Sequence, residues 1–244
     1  MPTIIKNLLI INVLVFVAQK VVPLSTINMD DVFALHTWQS SLFKPWQFIT
    51  YMFMHSTDDY SHIFFNMLAL WMFGSVLENV WGPKRFLTFY MVSGLGAALC
   101  HMIVLYFQNQ QMIDHFNAIG NSVENLRTFV NKYNVEGNDR QLSINYAYAL
   151  LNFKMDIPTI GASGAVFGCL AAFGYLFPND YLYVMGLVPV KAKWLVIIYA
   201  GIELFATFNN SAGDNVAHIA HLGGALAGFL MVYFWNKNNK KTFY

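Results

Sequence analysis

The chain has 244 residues, of which 57% are hydrophobic, 17% aromatic and only 11% charged, with a mean hydropathy of +0.44. Soluble domains average about 25% charged residues, so this composition excludes a water-covered globular domain and points to a membrane protein. The net charge of +1 excludes the basic field that nucleic-acid binding requires.

A membrane helix needs about 20 mostly apolar residues, and six segments are expected to span. The first runs from about Ile4 to Leu24. Lys6 ahead of an apolar run fits a signal peptide, but no A-x-A-like cleavage site follows, and Asn12, Gln19 and Lys20 interrupt the pattern; a retained span is expected. The next loop carries Trp38, Phe43, Trp46 and Phe48, aromatic residues suited to a membrane interface. The second span is expected over Ser61 to Val80 and the third over Phe86 to Phe107. In the long segment 108–158, Ile113, Phe116, Val123, Leu126, Phe129 and Val130 recur at near-helical spacing, which predicts an amphipathic insertion lying on the membrane or on the spans. The fourth span is expected over Gly161 to Phe177, the fifth over Trp194 to Phe208 and the sixth over Val216 to Trp235. The expected fold is an all-α membrane protein forming one domain over 1–244. Cys100 and Cys169 lie in apolar runs and read as small buried residues rather than a disulfide or metal pair.

Lys and Arg in short flanks set orientation. With six spans, Lys6, Lys84, Arg85, Lys191, Lys193, Lys237, Lys240 and Lys241 all fall on one face, the cytoplasmic one, with both termini. Asp30, Asp31, Asp58 and Asp59 fall on the opposite, external face.

Polar groups inside a membrane are costly and are functional candidates by default. Four are singled out: His62 and Asn66 in the second span, Ser163 in the fourth and His221 in the sixth. Each of these spans enters from the external side. Counted from their starts at 1.5 Å per residue, the four groups share one layer several Å below that surface. Gly164 and Gly168 share one face of the fourth span, and Gly224 and Gly228 one face of the sixth; small residues at this spacing let membrane helices approach closely. Packing along these seams would bring Ser163 and His221 within hydrogen-bond reach. A serine hydroxyl is a weak nucleophile until an adjacent base takes its proton. No Asp or Glu lies near Ser163 or His221 in either helix, so the expected unit is a Ser-His dyad without a third acid. Phe167, one turn from Ser163, would stack on the imidazole. Asn66, His62 and the backbone N–H of Ser163 would offer donors to an oxyanion.

Three motifs carry a resemblance. Gly161-Ala-Ser163-Gly164 resembles the GxSG nucleophile motif of rhomboid intramembrane serine proteases. His221-Leu-Gly-Gly224-Ala-Leu-Ala-Gly228 resembles their HxxGxxxG, and His62-Ile-Phe-Phe-Asn66 their HxxxN. The resemblance covers roughly the second to sixth spans and the first external loop. It implies a six-helix rhomboid bundle with Ser163 as nucleophile and His221 as general base. Asn66, His62, Gly161 and the Ser163 N–H would line the oxyanion hole, and no metal or cofactor is needed. It implies transmembrane protein substrates in the lipid bilayer, cut near the external end of a locally unwound span. The fifth span and the loop Asn209 to Asn215 would be the mobile gate. The expected location is a bacterial cytoplasmic membrane, with the site opening externally. Trp46-Gln47 stands where many members have Trp-Arg, and Phe167 where some bacterial members have Tyr. Glu78, before Gly82, sits at a position that is polar in the family and is expected to be structural. The alternative reading is a proteolytically inactive rhomboid-like protein that binds membrane clients. A haem or metal protein using His62, His101, His218 and His221 is a weaker rival, with no HExxH motif, as is a transporter.

Overall fold

The structure is a computed structural model that describes residues 1–23, 26–119, 155–184, 187–209 and 217–238. Val123, Leu126, Phe129 and Val130 of the expected insertion lie outside the described residues, as do Lys240, Lys241 and most of the loop after Asn209.

The chain is mostly helical. Helix α1 is Thr3–Val21. The loop after it holds the short helices α2, Met29–Phe33, and α3, Gln47–Thr50, with a 3-10 turn at Tyr51–Phe53. Helix α4, Tyr60–Ala69, runs through one π-helical turn, Leu70–Gly74, into α5, Ser75–Trp81. Helix α6 is Pro83–Ile119, α7 is Ser163–Leu176, α8 is Ala192–Asn209 and α9 is His218–Asn238. Strands β1, Tyr181–Val184, and β2, Val188–Lys191, pair antiparallel between α7 and α8. Among the described residues, four helical stretches are long and apolar enough to cross a membrane: Thr3–Val21, Tyr60–Trp81, Pro83–His115 and His218–Lys237.

Two differences from expectation have clear physical causes. Helix α6 does not stop at Phe107 but continues to Ile119, so the first part of the expected insertion prolongs the third apolar helix. Residues 108–119 contain neither Gly nor Pro, so nothing in them interrupts the helix. The second apolar stretch is not a uniform α-helix, because the π turn at Leu70–Gly74 widens it in the middle.

Helix α7 lies at the centre. Ten of its residues are buried, including Gly164, Val166, Gly168, Leu170 and Phe173, and it packs against α6 and α9, which also pack on each other. At 14 residues it is about 21 Å long, shorter than the roughly 30 Å hydrocarbon core. Glycine permits the close approach of α7 to α9. A Cβ on Gly224 would lie 1.9 Å from the Gly164 carbonyl oxygen, and one on Gly228 would lie 2.8 Å from Gly168 Cα. Toward α6, a Cβ on Gly164 would lie 2.4 Å from Ala97 Cβ.

Buried polar residues tie the periphery to this core. Glu78 is buried, and its two carboxylate oxygens accept the backbone N–H groups of Ile4 and Ile5 at 2.9 and 2.8 Å. A carboxylate at the first turn satisfies orphan donors and suits the positive end of the helix dipole, so Glu78 caps α1. Gln47 is wholly buried in the first loop. Its carbonyl accepts from the N–H groups of His36 and Lys44, and its amide donates to the carbonyls of Asp31 and Leu42. One side chain thus holds three turns of an otherwise irregular segment.

Candidate active site

Ser163 is the first residue of α7, and the segment before it is pinned from three sides. Leu35 and Thr159 exchange backbone hydrogen bonds at 2.9 and 2.8 Å. His101 Nε2 of α6 lies 3.0 Å from Thr159 Oγ1. The Gly161 N–H donates to the Tyr51 carbonyl at 3.0 Å, while the Tyr51 hydroxyl donates to the Gly94 carbonyl of α6 at 2.8 Å. Gly161 has φ +131°, a conformation that favours glycine. A Cβ there would lie 3.0 Å from His62 Nε2 and 3.4 Å from Ser163 Oγ. Glycine therefore leaves open the space between those two side chains.

From α9, His221 Nε2 lies 2.8 Å from Ser163 Oγ, although the residues are 58 apart in sequence. Phe167, one turn along α7 from Ser163, lies flat on the imidazole with centroids 4.4 Å apart and planes within 5°. From α4, the Ser56 N–H donates to His62 Nδ1 at 3.3 Å. A neutral imidazole that accepts at Nδ1 carries its proton on Nε2, the atom facing the space beside Gly161. Asn66 is buried and donates through Nδ2 to the His62 carbonyl at 2.8 Å, directing one amide proton along its own helix. Ser163, His221, Phe167, Gly161 and His62 thus meet at one place, with Asn66 one turn beyond His62.

One member of this cluster was not anticipated. Glu203, buried on α8, places Oε2 3.0 Å from His221 Nδ1 and 2.6 Å from His218 Nδ1. The His221 contact has ion-pair distance but lies off the axis of a regular hydrogen bond. The expectation of no third acid considered only the helices that carry Ser163 and His221; the carboxylate comes from a neighbouring one. The signal was present in Ile202-Glu203-Leu204, because an acid within an apolar run marks a functional candidate as surely as a histidine does. The donor atoms of Glu203, His218 and His221 lie within 4.8 Å of one another, the spacing of a metal-binding set. The 2.6 Å contact between Glu203 Oε2 and His218 Nδ1 is itself a hydrogen-bond distance, so the carboxylate has a partner without an ion.

A partly buried serine and histidine thus lie in hydrogen-bond contact inside a bundle of apolar helices, and the class is that of a helical membrane protein. The model of the rhomboid domain matches residues 42–123 and 137–238, most of the chain, and the chain belongs to the rhomboid family. Rhomboid protein 1, mitochondrial, of Saccharomyces cerevisiae is 26% identical over 186 residues, covering 76% of this chain and 41% of that protein. Rhomboid protease GluP of Bacillus subtilis is 22% identical over 231 residues, covering 93% of this chain and 34% of that protein. Rhomboid protease AarA of Providencia stuartii is 27% identical over 238 residues, covering 92% of this chain and 69% of that protein. The chain thus spans less than half the length of the first two relatives.

Proposed function

We propose that the chain is an intramembrane serine endopeptidase that hydrolyses peptide bonds in or near the transmembrane segments of other membrane proteins. The observation that carries this reading is the 2.8 Å contact between Ser163 Oγ and His221 Nε2, made within a core of apolar helices. Two of the relatives described above are named as rhomboid proteases.

In this reading, Ser163 Oγ attacks the substrate carbonyl carbon while its proton passes to His221 Nε2. The carbonyl π electrons move to oxygen, and the resulting anion occupies the space beside Gly161. The His62 Nε2–H, the Ser163 N–H and the Asn66 amide serve as its donors. As the C–N bond breaks, His221 returns the proton to the leaving amine. A water then attacks the acyl ester, with His221 again taking and giving a proton, and Ser163 is regenerated. Phe167 keeps the imidazole plane facing Ser163 throughout.

Membrane topology belongs to the same proposal. Six spans, cytoplasmic termini and an external insertion after α6 place the start of α7 toward the external side. Because α7 is short, its first residue then lies below the surface that its longer neighbours reach. Substrates enter from the bilayer with a locally unwound helix. The location proposed is a multi-pass position in a membrane, without a choice between bacterial and organellar membranes, since the relatives include a protein named mitochondrial and another from a bacterium.

The test is cleavage of a single-span membrane protein by the purified protein in liposomes. Wild type yields two fragments, and Ser163→Ala and His221→Ala yield none while keeping the wild-type melting temperature. An intact substrate with wild type, under conditions where the protein is folded, favours the inactive client-binding alternative.

A further inference from the structure

The reading above uses Ser163 and His221 and leaves a buried carboxylate beside His221 without a role. Glu203 lies on α8, between Ile202 and Leu204, which are about half-exposed toward the apolar surroundings. Its side chain is nevertheless turned inward, with only 10% of its surface accessible. Burial of an acid among apolar helices is costly unless it is paired, and Glu203 meets two imidazoles, at 2.6 Å to His218 Nδ1 and 3.0 Å to His221 Nδ1.

An ionised carboxylate only accepts hydrogen bonds, so Glu203 favours the His221 tautomer with its proton on Nδ1, the nitrogen 3.0 Å away. That leaves the Nε2 lone pair facing the Ser163 hydroxyl, the arrangement a general base needs. When Nε2 takes the serine proton, the imidazolium forms 3.0 Å from a fixed negative charge, and the charge stays on Glu203 without further proton transfer. Off-axis contacts at such positions commonly tighten only once substrate is bound. His218 in turn fixes the carboxylate, since it contacts the same Oε2. The titratable groups facing His221 are Glu203 from α8, His218 from its own helix, and at longer range His62 from α4 and His101 from α6.

We propose that Glu203 is a positioning residue that holds the His221 tautomer and supports its imidazolium, so that the working unit is Ser163-His221-Glu203 with His218 as the brace. The proposal rests on the protease reading above and names the part of it that the sequence motifs omit.

The test compares wild type, Glu203→Gln, Glu203→Asp and Ser163→Ala in liposomes, measuring kcat and KM on a single-span substrate and the rate of Ser163 labelling by a fluorophosphonate. Melting temperatures are taken alongside. Glu203→Gln is expected to lower kcat and the labelling rate together by about 100-fold or more, within the range general-base catalysis contributes, with KM changed less than about threefold. Glu203→Asp is expected to recover at least a tenth of wild-type kcat. A chelator leaves wild-type activity unchanged. Wild-type kcat and labelling in Glu203→Gln would overturn the proposal, and so would equal losses in Gln and Asp that track a fall in melting temperature. Loss of wild-type activity with chelator would replace the positioning role by a metal site. If wild type neither labels at Ser163 nor cuts substrate, the protease reading itself has failed and takes this inference with it.

Discussion

Phe167 lies flat against His221, with ring planes within 5° and centroids 4.4 Å apart. The two rings belong to helices brought together by glycine, and the stack fixes the imidazole plane that a Ser163 contact requires. An aromatic pair of this kind contributes about 0.5–1.5 kcal/mol. Phe167→Ala is therefore expected to lower kcat by about 3- to 10-fold with little change in KM, whereas Phe167→Tyr retains the stack and the rate. Steady-state cleavage of a membrane substrate measures both; equal activity in all three would remove the stack from the account.

His62 stands across the gap beside Gly161 from Ser163, with Asn66 one turn along the same helix. Loss of one oxyanion donor typically costs about 100- to 1000-fold in rate. Because one amide proton of Asn66 is held by the His62 carbonyl, Asn66→Ala is expected at or below the lower end of that range, with the larger part of the loss in kcat. His62→Ala is expected to cost more, since Nε2 faces the gap directly. A reversed order of the two variants in kcat would contradict the donor assignment.

The seam between α7 and α9 has no tolerance for a methyl group at Gly224, where a Cβ would lie 1.9 Å from backbone oxygen. Neither helix can relieve that contact by rotating a side chain. Gly224→Ala is expected to destabilise the fold by at least about 2 kcal/mol and to abolish cleavage by moving His221 away from Ser163. Gly201→Ala, at a position with open space around it, is the control and keeps the wild-type melting temperature. Thermal denaturation in detergent distinguishes them.

His55, in the loop before α4, is wholly buried. Burial, reinforced by the nearby His62, pushes its pKa down from the ordinary 6.5 to about 4. The folded state thus binds this proton less readily than the unfolded chain. Its contribution to stability is complete above pH 6.5, declines as the pH falls from 6.5 to 4, and is gone below. The shift corresponds to about 3 kcal/mol across that window. His55→Gln is expected to flatten the fall of melting temperature between pH 6.5 and 4; an unchanged slope would contradict the assignment.

The helices were legible because lipid-facing segments must be apolar throughout, so their ends fall near the ends of the apolar runs. The continuation of α6 past Phe107 was not, because residues 108–119 are polar enough to read as leaving the membrane while carrying no helix breaker. The GxSG, HxxxN and HxxGxxxG residues stood out as polar or small groups in apolar runs. Glu203 carried the same signal, but its relation to His221 depends on how α8 rotates against α9, which no periodicity reports. Glu78 was legible as an internal polar residue and not as the cap of α1, since its partners lie more than 70 residues away. Gln47 was marked only as a departure from the family pattern; its role becomes visible once the loop carbonyls surround it.

The central claim is that Ser163 is activated by His221, and the most direct measurement is covalent labelling. The purified protein is incubated with a fluorophosphonate and the adduct is located by mass spectrometry, with Ser163→Ala and His221→Ala as controls. The account predicts a single adduct on Ser163, absent in Ser163→Ala and slowed by at least about 100-fold in His221→Ala. A folded wild-type protein that acquires no adduct at Ser163, or labels equally fast without His221, would contradict it.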